Sequence, residues 1–155
     1  MFRATVQVAE AAGFETLTFS PDEADLEAVK HISVLNPVFM SNPLAHQTLP
    51  LDSFSGFLTL FHDHDWEPEL LKAALLTDVR FIGCLGSRQT HQQRLNNLLA
   101  DGAEARSLDR LKGPIGLVPS LRNAPSIAVS AMAQVIQEFP SSIRSLGSAR
   151  QEDAA

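Results

Sequence analysis

The sequence predicts an α/β protein built on a mainly parallel sheet. Three observations carry this. "GFLTLF" (56–61) and "DVRFIG" (78–83) are short apolar runs rich in β-favouring residues, as in strands covered on both faces. Segments with helical apolar spacing follow each of them. Glycine, proline and serine mark the joins, so strand and helix alternate along the chain.

In chain order, Phe2, Val6, Val8, Ala9 and Ala12 give a helix over 2–12 its apolar face, and Gly13 suits the left-handed residue that ends it. Phe14, Leu17 and Phe19, with two threonines between them, predict a strand over 14–19. "SPDEADLEAV" reads as a turn into a short acidic helix. Three prolines in "HISVLNPVFMSNPLAHQTLP" exclude a long element and leave a short strand at Val38–Met40. After the 56–61 strand, Trp66–Leu76 is helical. Trp66, Leu70, Ala73 and Ala74 share one side, and Glu67 and Glu69 suit its positive end. After the 78–83 strand, "SRQTHQQRLNNLLADG" predicts a helix closed by Gly102, with Leu95, Leu98 and Leu99 inward. "ARSLDRLKG" predicts a further short helix, "PIGL" a brief strand or turn, and "APSIAVSAMAQVIQEF" an apolar helix with Pro125 in its first turn. One domain over 1–140 is expected, with a polar tail over 141–155 that frays.

Composition narrows the function classes. A net charge of −6 argues against nucleic-acid binding, which needs a basic face. No apolar run approaches the roughly 20 residues of a membrane helix. No basic-then-apolar leader opens the sequence, so a cytoplasmic location away from the membrane is expected. The single cysteine, Cys84, excludes an internal disulfide and a cysteine-cluster zinc site.

In an open α/β sheet, ligands bind beyond the C-terminal ends of the strands. "HDHD" (62–65) lies at such an end. If the strand persists, His62 and His64 point to one face and could chelate a metal or touch a ligand, with Asp63 between them. Zinc would need a third protein ligand, with Asp65 and His91 the nearby candidates, so no stably bound zinc is expected. The structural alternative is that Asp65 caps the next helix and the histidines bond to backbone. "FIGCLGSRQTH" (81–91) has the form strand, glycine turn, helix start. Gly83 and Gly86 would allow close backbone approach by a ligand, Ser87 would cap an anion-binding helix end, and Arg88 adds a guanidinium suited to phosphate. Its alternative is a tight turn with a surface arginine. Cys84 reads as a small buried filler, with a reactive thiol between the glycines as the alternative. "GPIGL" (113–117), with Pro114 and Gly116, either lines the same crevice or is an ordinary turn.

Together these motifs resemble the C-terminal Rossmann-like domain of the xanthine dehydrogenase accessory factor family (XdhC/CoxI). "FHDHDWEPELLKAAL" is similar to the family's Thr-His-Asp/Ser-His segment. "FIGCLGSRQTHQQR" resembles its Gly-x-Leu-Gly-Ser-Arg segment. "PIGL" followed by "SIAVSAMAQVI" resembles its Pro-Ile-Gly-Leu and Ile-Ala-Val-Ser segments. The match runs from about Gly56 to Glu138 and extends more weakly to "VAEAAGFETLTF". The resemblance implies a three-layer Rossmann-like domain and an accessory protein rather than an enzyme. It implies binding of molybdenum cofactor (molybdopterin) and its delivery, in sulfurated form, to a xanthine dehydrogenase-like molybdenum hydroxylase. A cysteine desulfurase is the second implied partner. His62, Asp63, His64, Gly83, Gly86, Ser87, Arg88, His91, Pro114 and Gly116 are the implied cofactor contacts.

The sequence departs from the family pattern in two ways. It opens inside the first helix, without the preceding strand and Gly-rich loop, which suggests truncation. "VPSLRNAPS" also replaces a stretch that carries Asp-Ile-Gly and Pro-Glu-Glu in the family. In the usual strand order the first strand lies between the second and fourth, here 14–19 and 56–61. We expect those two strands to close up and pair, or to recruit another chain through self-association, rather than leave a slot open, the remaining alternative being a chain that is unstable on its own. Three rival readings stand beside this one. A nucleotide (NAD(P))-binding oxidoreductase domain is disfavoured by the missing G-x-G-x-x-G. A degenerate, non-catalytic interaction subunit is the second. A metal hydrolase using His62 and His64 lacks ligands.

Overall fold

The computed structural model describes residues 1–42, 49–60 and 66–139. Six helices and five strands follow one another among the described residues: α1 (Phe2–Ala11), β1 (Phe19–Ser20), α2 (Glu23–Val29), β2 (Val38–Phe39), β3 (Gly56–Thr59), α3 (Glu67–Leu75), β4 (Phe81–Cys84), α4 (Arg88–Ala100), α5 (Ala105–Leu108), β5 (Leu111–Lys112) and α6 (Ala124–Glu138). Every strand pair is parallel, in the orders β1-β2 and β3-β4-β5.

The layers follow from side-chain alternation along β4, all four residues of which are buried. Ile82 and Cys84 face one way, into a cluster with Leu71, Ala74, Leu98, Leu108 and Leu111. Phe81 faces the other way, with Ala9, Ile115, Ala131, Met132 and Phe139. Helices α3 and α4 thus cover one face and α1 and α6 the other. This is the three-layer arrangement that the buried apolar runs imply. Phe57 joins the α3/α4 side and Leu58 the α1/α6 side, so Thr59 returns to the α3/α4 side.

Several expected boundaries shift, each for a local reason. The 14–19 stretch pairs only at Phe19–Ser20. The Glu10 carboxylate instead accepts the backbone N–H groups of Thr16, at 3.0 Å, and Val34, at 3.2 Å, so a side chain takes donors that a ladder would have used. The helix expected over 105–113 stops at Leu108, and Leu111–Lys112 becomes an edge strand beside Ile82 and Gly83. There the Arg110 guanidinium donates to the carbonyls of Leu75, Thr77 and Val79 at 2.8–2.9 Å. Leu99 points outward at 45% exposure, against the expected inward face, while Arg94 and Leu98 are buried.

The expected closure of the second and fourth strands does not occur. No ladder joins β1 to β3 among the described residues, and the two sheets stay separate. The last helix brings Phe139 against the start of β3, where its ring lies 3.5 Å from the position a Cβ on Gly56 would take. Phe14 meets that ring edge-on at 5.7 Å between centroids.

Candidate functional site

The C-terminal ends of β3, β4 and β5 deliver three chain segments to one rim, as parallel strands must. Beneath it lies a buried polar network. Thr59, the last paired residue of β3, donates its hydroxyl to Glu67 Oε1 at 2.5 Å. Glu67 opens α3 and is only 4% exposed. Arg94, from the second turn of α4 and 7% exposed, grips it with both ends of its fork: Nε to Oε2 at 2.8 Å and Nη2 to Oε1 at 3.0 Å. A two-point guanidinium–carboxylate pair of this kind is strong and geometrically specific. The same Nη2 donates to the Leu85 carbonyl at 2.8 Å, just past β4. Nη1 lies 3.2 Å from His91 Nδ1.

The pair explains why a carboxylate and a guanidinium can sit in an apolar layer: each satisfies the other, and Thr59 and Leu85 take further bonding positions. Cys84, fully buried beside it, has its thiol pushed from 9.0 up to about 11, chiefly by burial. It is a core filler here, as its sequence context suggested. Burial, and then the Arg94 guanidinium, hold His91 below the ordinary imidazole range.

Above the network, Gly86 carries φ +138° and turns the chain into α4. Ser87 caps that helix, accepting from Thr90 N at 3.0 Å. The N–H groups of Arg88 and Gln89 have no intrahelical acceptor, as at any helix start, and both residues are exposed. The loop after β5 comes alongside. Ile115 N donates to Cys84 O at 3.0 Å, and the Nδ1 edge of the His91 ring packs on Gly113. A Cβ on Gly113 would fall 2.1 Å from His91 Nδ1, so only glycine admits this contact. Pro114 and Gly116 follow in the same loop. The Gly116 N–H is bound to Gln134 Oε1 at 2.7 Å, which ties the loop to α6.

Among the sequence-predicted site residues, Gly86, Ser87, Arg88, His91 and Pro114 therefore gather at adjacent strand ends. Gly83 has a different environment from the ligand approach expected of it. It lies inside β4, and the space over its Cα is taken by Ile115, Phe81 and Leu58 side chains. Gly116 is likewise turned to α6. His62, Asp63, His64 and Asp65 lie outside the described residues. Among the described residues no three His, Cys, Asp or Glu side chains gather as a metal site, and no helix is long and apolar enough to cross a membrane. Sequence reasoning missed Thr59, Glu67 and Arg94. Their signal was present, since Arg94 sits one helical turn before Leu98 on the inward stripe. A cavity of about 120 Å³ between α3 and α4 lies over the Glu67–Arg94 pair. It is well below the roughly 300–1,000 Å³ of small-molecule sites, so a cofactor-sized ligand does not fit there.

Comparison with known proteins gives this geometry a context. The sequence profile of the XdhC Rossmann domain matches residues 1–135. The molybdenum cofactor insertion chaperone PaoD of Escherichia coli (strain K12) is 31% identical over 91 residues, covering 59% of this chain and 29% of PaoD. The crystal structure of a xanthine dehydrogenase from Bacillus halodurans superposes with a TM-score of 0.70 at 25% identity, over 88% of this chain and 38% of that one. The chain thus spans well under half the length of either relative. With its three-layer fold, its parallel strands and a profile match over most of its length, the chain belongs to the XdhC Rossmann-domain family.

Proposed function

We propose that this chain acts in molybdenum-enzyme maturation, binding molybdenum cofactor as cargo and releasing it to a xanthine dehydrogenase-type hydroxylase. The observation that carries this is the 31% identity to a molybdenum cofactor insertion chaperone. The rim supports it chemically. The pterin cofactor bears a phosphate, and the start of α4 offers exposed backbone N–H groups, the Gly86 turn and the Arg88 guanidinium beside them. Arg88, Gln89 and the Gly86–Ser87 turn would hold the phosphate. His62, Asp63 and His64, which follow β3 in sequence, are proposed contacts from the adjacent strand end. The cargo's molybdenum chemistry is its own, and the protein supplies binding, orientation and shelter. The hydroxylase is the proposed acceptor, a cysteine desulfurase the proposed sulfur source, and the cytoplasm the proposed location.

The test is co-elution. The chain is mixed with molybdenum cofactor released from a purified molybdenum hydroxylase, passed through gel filtration, and assayed for molybdenum and for oxidised-pterin fluorescence. Cofactor is expected to travel with the protein and to be lost with Arg88→Glu, an exposed change that leaves the fold intact. Cofactor that elutes free of the wild-type chain, or an NAD(P) titration that saturates instead, overturns the reading.

A further inference from the structure

We propose that His91 is a hydrogen-bond donor to the cargo through Nε2–H, and that the buried Thr59–Glu67–Arg94 chain is the device that holds it in that form. The proposal rests on the cofactor-binding reading above and adds the atom, the tautomer and the network that sets it.

The tautomer follows from donor and acceptor chemistry. A guanidinium has five N–H donors and no acceptor. Arg94 Nη1 lies 3.2 Å from His91 Nδ1, so Nδ1 must accept. A neutral imidazole with Nδ1 accepting carries its proton on Nε2. The alternative tautomer, or a protonated ring, would set an N–H against the guanidinium N–H. The depressed basicity of His91, from burial and the neighbouring charge, agrees with a neutral ring.

Two neighbours hold the position. Arg94 cannot swing away, because Nε and Nη2 are committed to the buried Glu67 carboxylate and Nη2 also to the Leu85 carbonyl. Glu67 is in turn fixed by Thr59. Gly113 closes on the same Nδ1 edge, since a Cβ there would fall 2.1 Å from Nδ1, a distance no side chain would allow. A ring held at its Nδ1 edge by a guanidinium and packed on a glycine loses little further freedom when a ligand binds. Nε2, across the ring from Arg94, has no partner among the described residues. His91 is on the first turn of α4, next to Ser87 and Arg88 and beside the loop that carries Pro114. The network also touches all three strand ends: β3 through Thr59, β4 through Leu85, and β5 through the Gly113 contact. Loss of Arg94 would therefore affect the whole rim, whereas loss of His91 removes one donor.

Two measurements on the full chain test this. Two-bond ¹H–¹⁵N correlation spectra of histidine-labelled protein read the tautomer without any ligand. The wild type is expected to show His91 as the Nε2–H form alone, and the Glu67→Leu/Arg94→Met double variant a mixture. A wild-type mixture, or a variant spectrum identical to wild type, overturns the positioning role. The second measurement adds molybdenum cofactor released from a hydroxylase. The His91 Nε2 signal is expected to shift. His91→Phe is expected to bind about tenfold more weakly, and His91→Gln, which keeps a donor near Nε2, to recover most of the loss. Cofactor that binds with the Nε2 signal unmoved and His91→Phe at full affinity overturns the donor role while leaving the proposed function standing. No binding by the wild type overturns both.

Discussion

Replacing Arg94 with methionine is the most informative perturbation of this fold. The Arg94 and Glu67 side chains are each 5% exposed, and their contact combines a two-point ion pair with a hydrogen bond to the Leu85 carbonyl. Methionine fills similar volume and keeps the apolar stem, so the loss is electrostatic rather than a cavity. Glu67 would then keep only the Thr59 hydroxyl among its present partners, inside an apolar layer. Breaking a buried pair from one side costs about 3–5 kcal/mol. Domains of this kind are stable by only about 5–15 kcal/mol, so the variant loses a large share of its stability. The assay is urea unfolding followed by the fluorescence of Trp66, the single tryptophan. The Glu67→Leu/Arg94→Met double variant is the control. With both charges gone it is expected to regain at least about 2 kcal/mol, the remaining deficit coming from the Thr59 hydroxyl and Leu85 carbonyl left without partners. A single-variant loss below about 1 kcal/mol, or a double variant no more stable than the single, would show that the pair is not the anchor of this layer.

Two further outcomes are expected. Gly83→Ala should destabilise by about 1–3 kcal/mol, because its Cβ would lie 2.6–2.8 Å from side-chain carbons of Ile115, Phe81 and Leu58. Urea unfolding reads this, and an unchanged midpoint would refute the packing role. Cys84 should resist a thiol reagent at pH 8 in the native state and react once the chain is unfolded, as a buried thiol raised to about 11 requires. The linked effect has a definite sign: above pH 9 the unfolded thiol releases its proton while the folded one keeps it, so stability from this group falls as pH rises toward 11. Equal labelling of native and unfolded protein, or a rise in stability over that range on comparison with Cys84→Ala, would contradict it.

The elements that pattern and punctuation specify locally were legible in the sequence. Apolar runs at 56–61 and 78–83 located β3 and β4, because strands buried on both faces must be apolar throughout. Gly86, Ser87 and Arg88 were readable as a strand-to-helix turn, because a positive-φ glycine and a serine cap act within a few residues. The resemblance carried by those segments agrees with the family match over residues 1–135.

What depends on partners distant in sequence was not legible. Glu67 read as a charge placed for a helix dipole. In the structure its partner is Arg94, twenty-seven residues on, and the two charges are buried because Thr59, α3 and α4 bring them together. Gly83 read as a glycine that lets a ligand approach, and Gly113 only as the start of a Pro-Gly turn segment. Packing against Ile115 and Leu58 in one case, and against the His91 ring in the other, gave them different work. The failure of β1 and β3 to pair was also decided in three dimensions. Local sequence sets which backbone conformations are cheap, but the burial of a charge, the contact over a glycine and the pairing of a strand depend on which groups the fold brings within bonding distance.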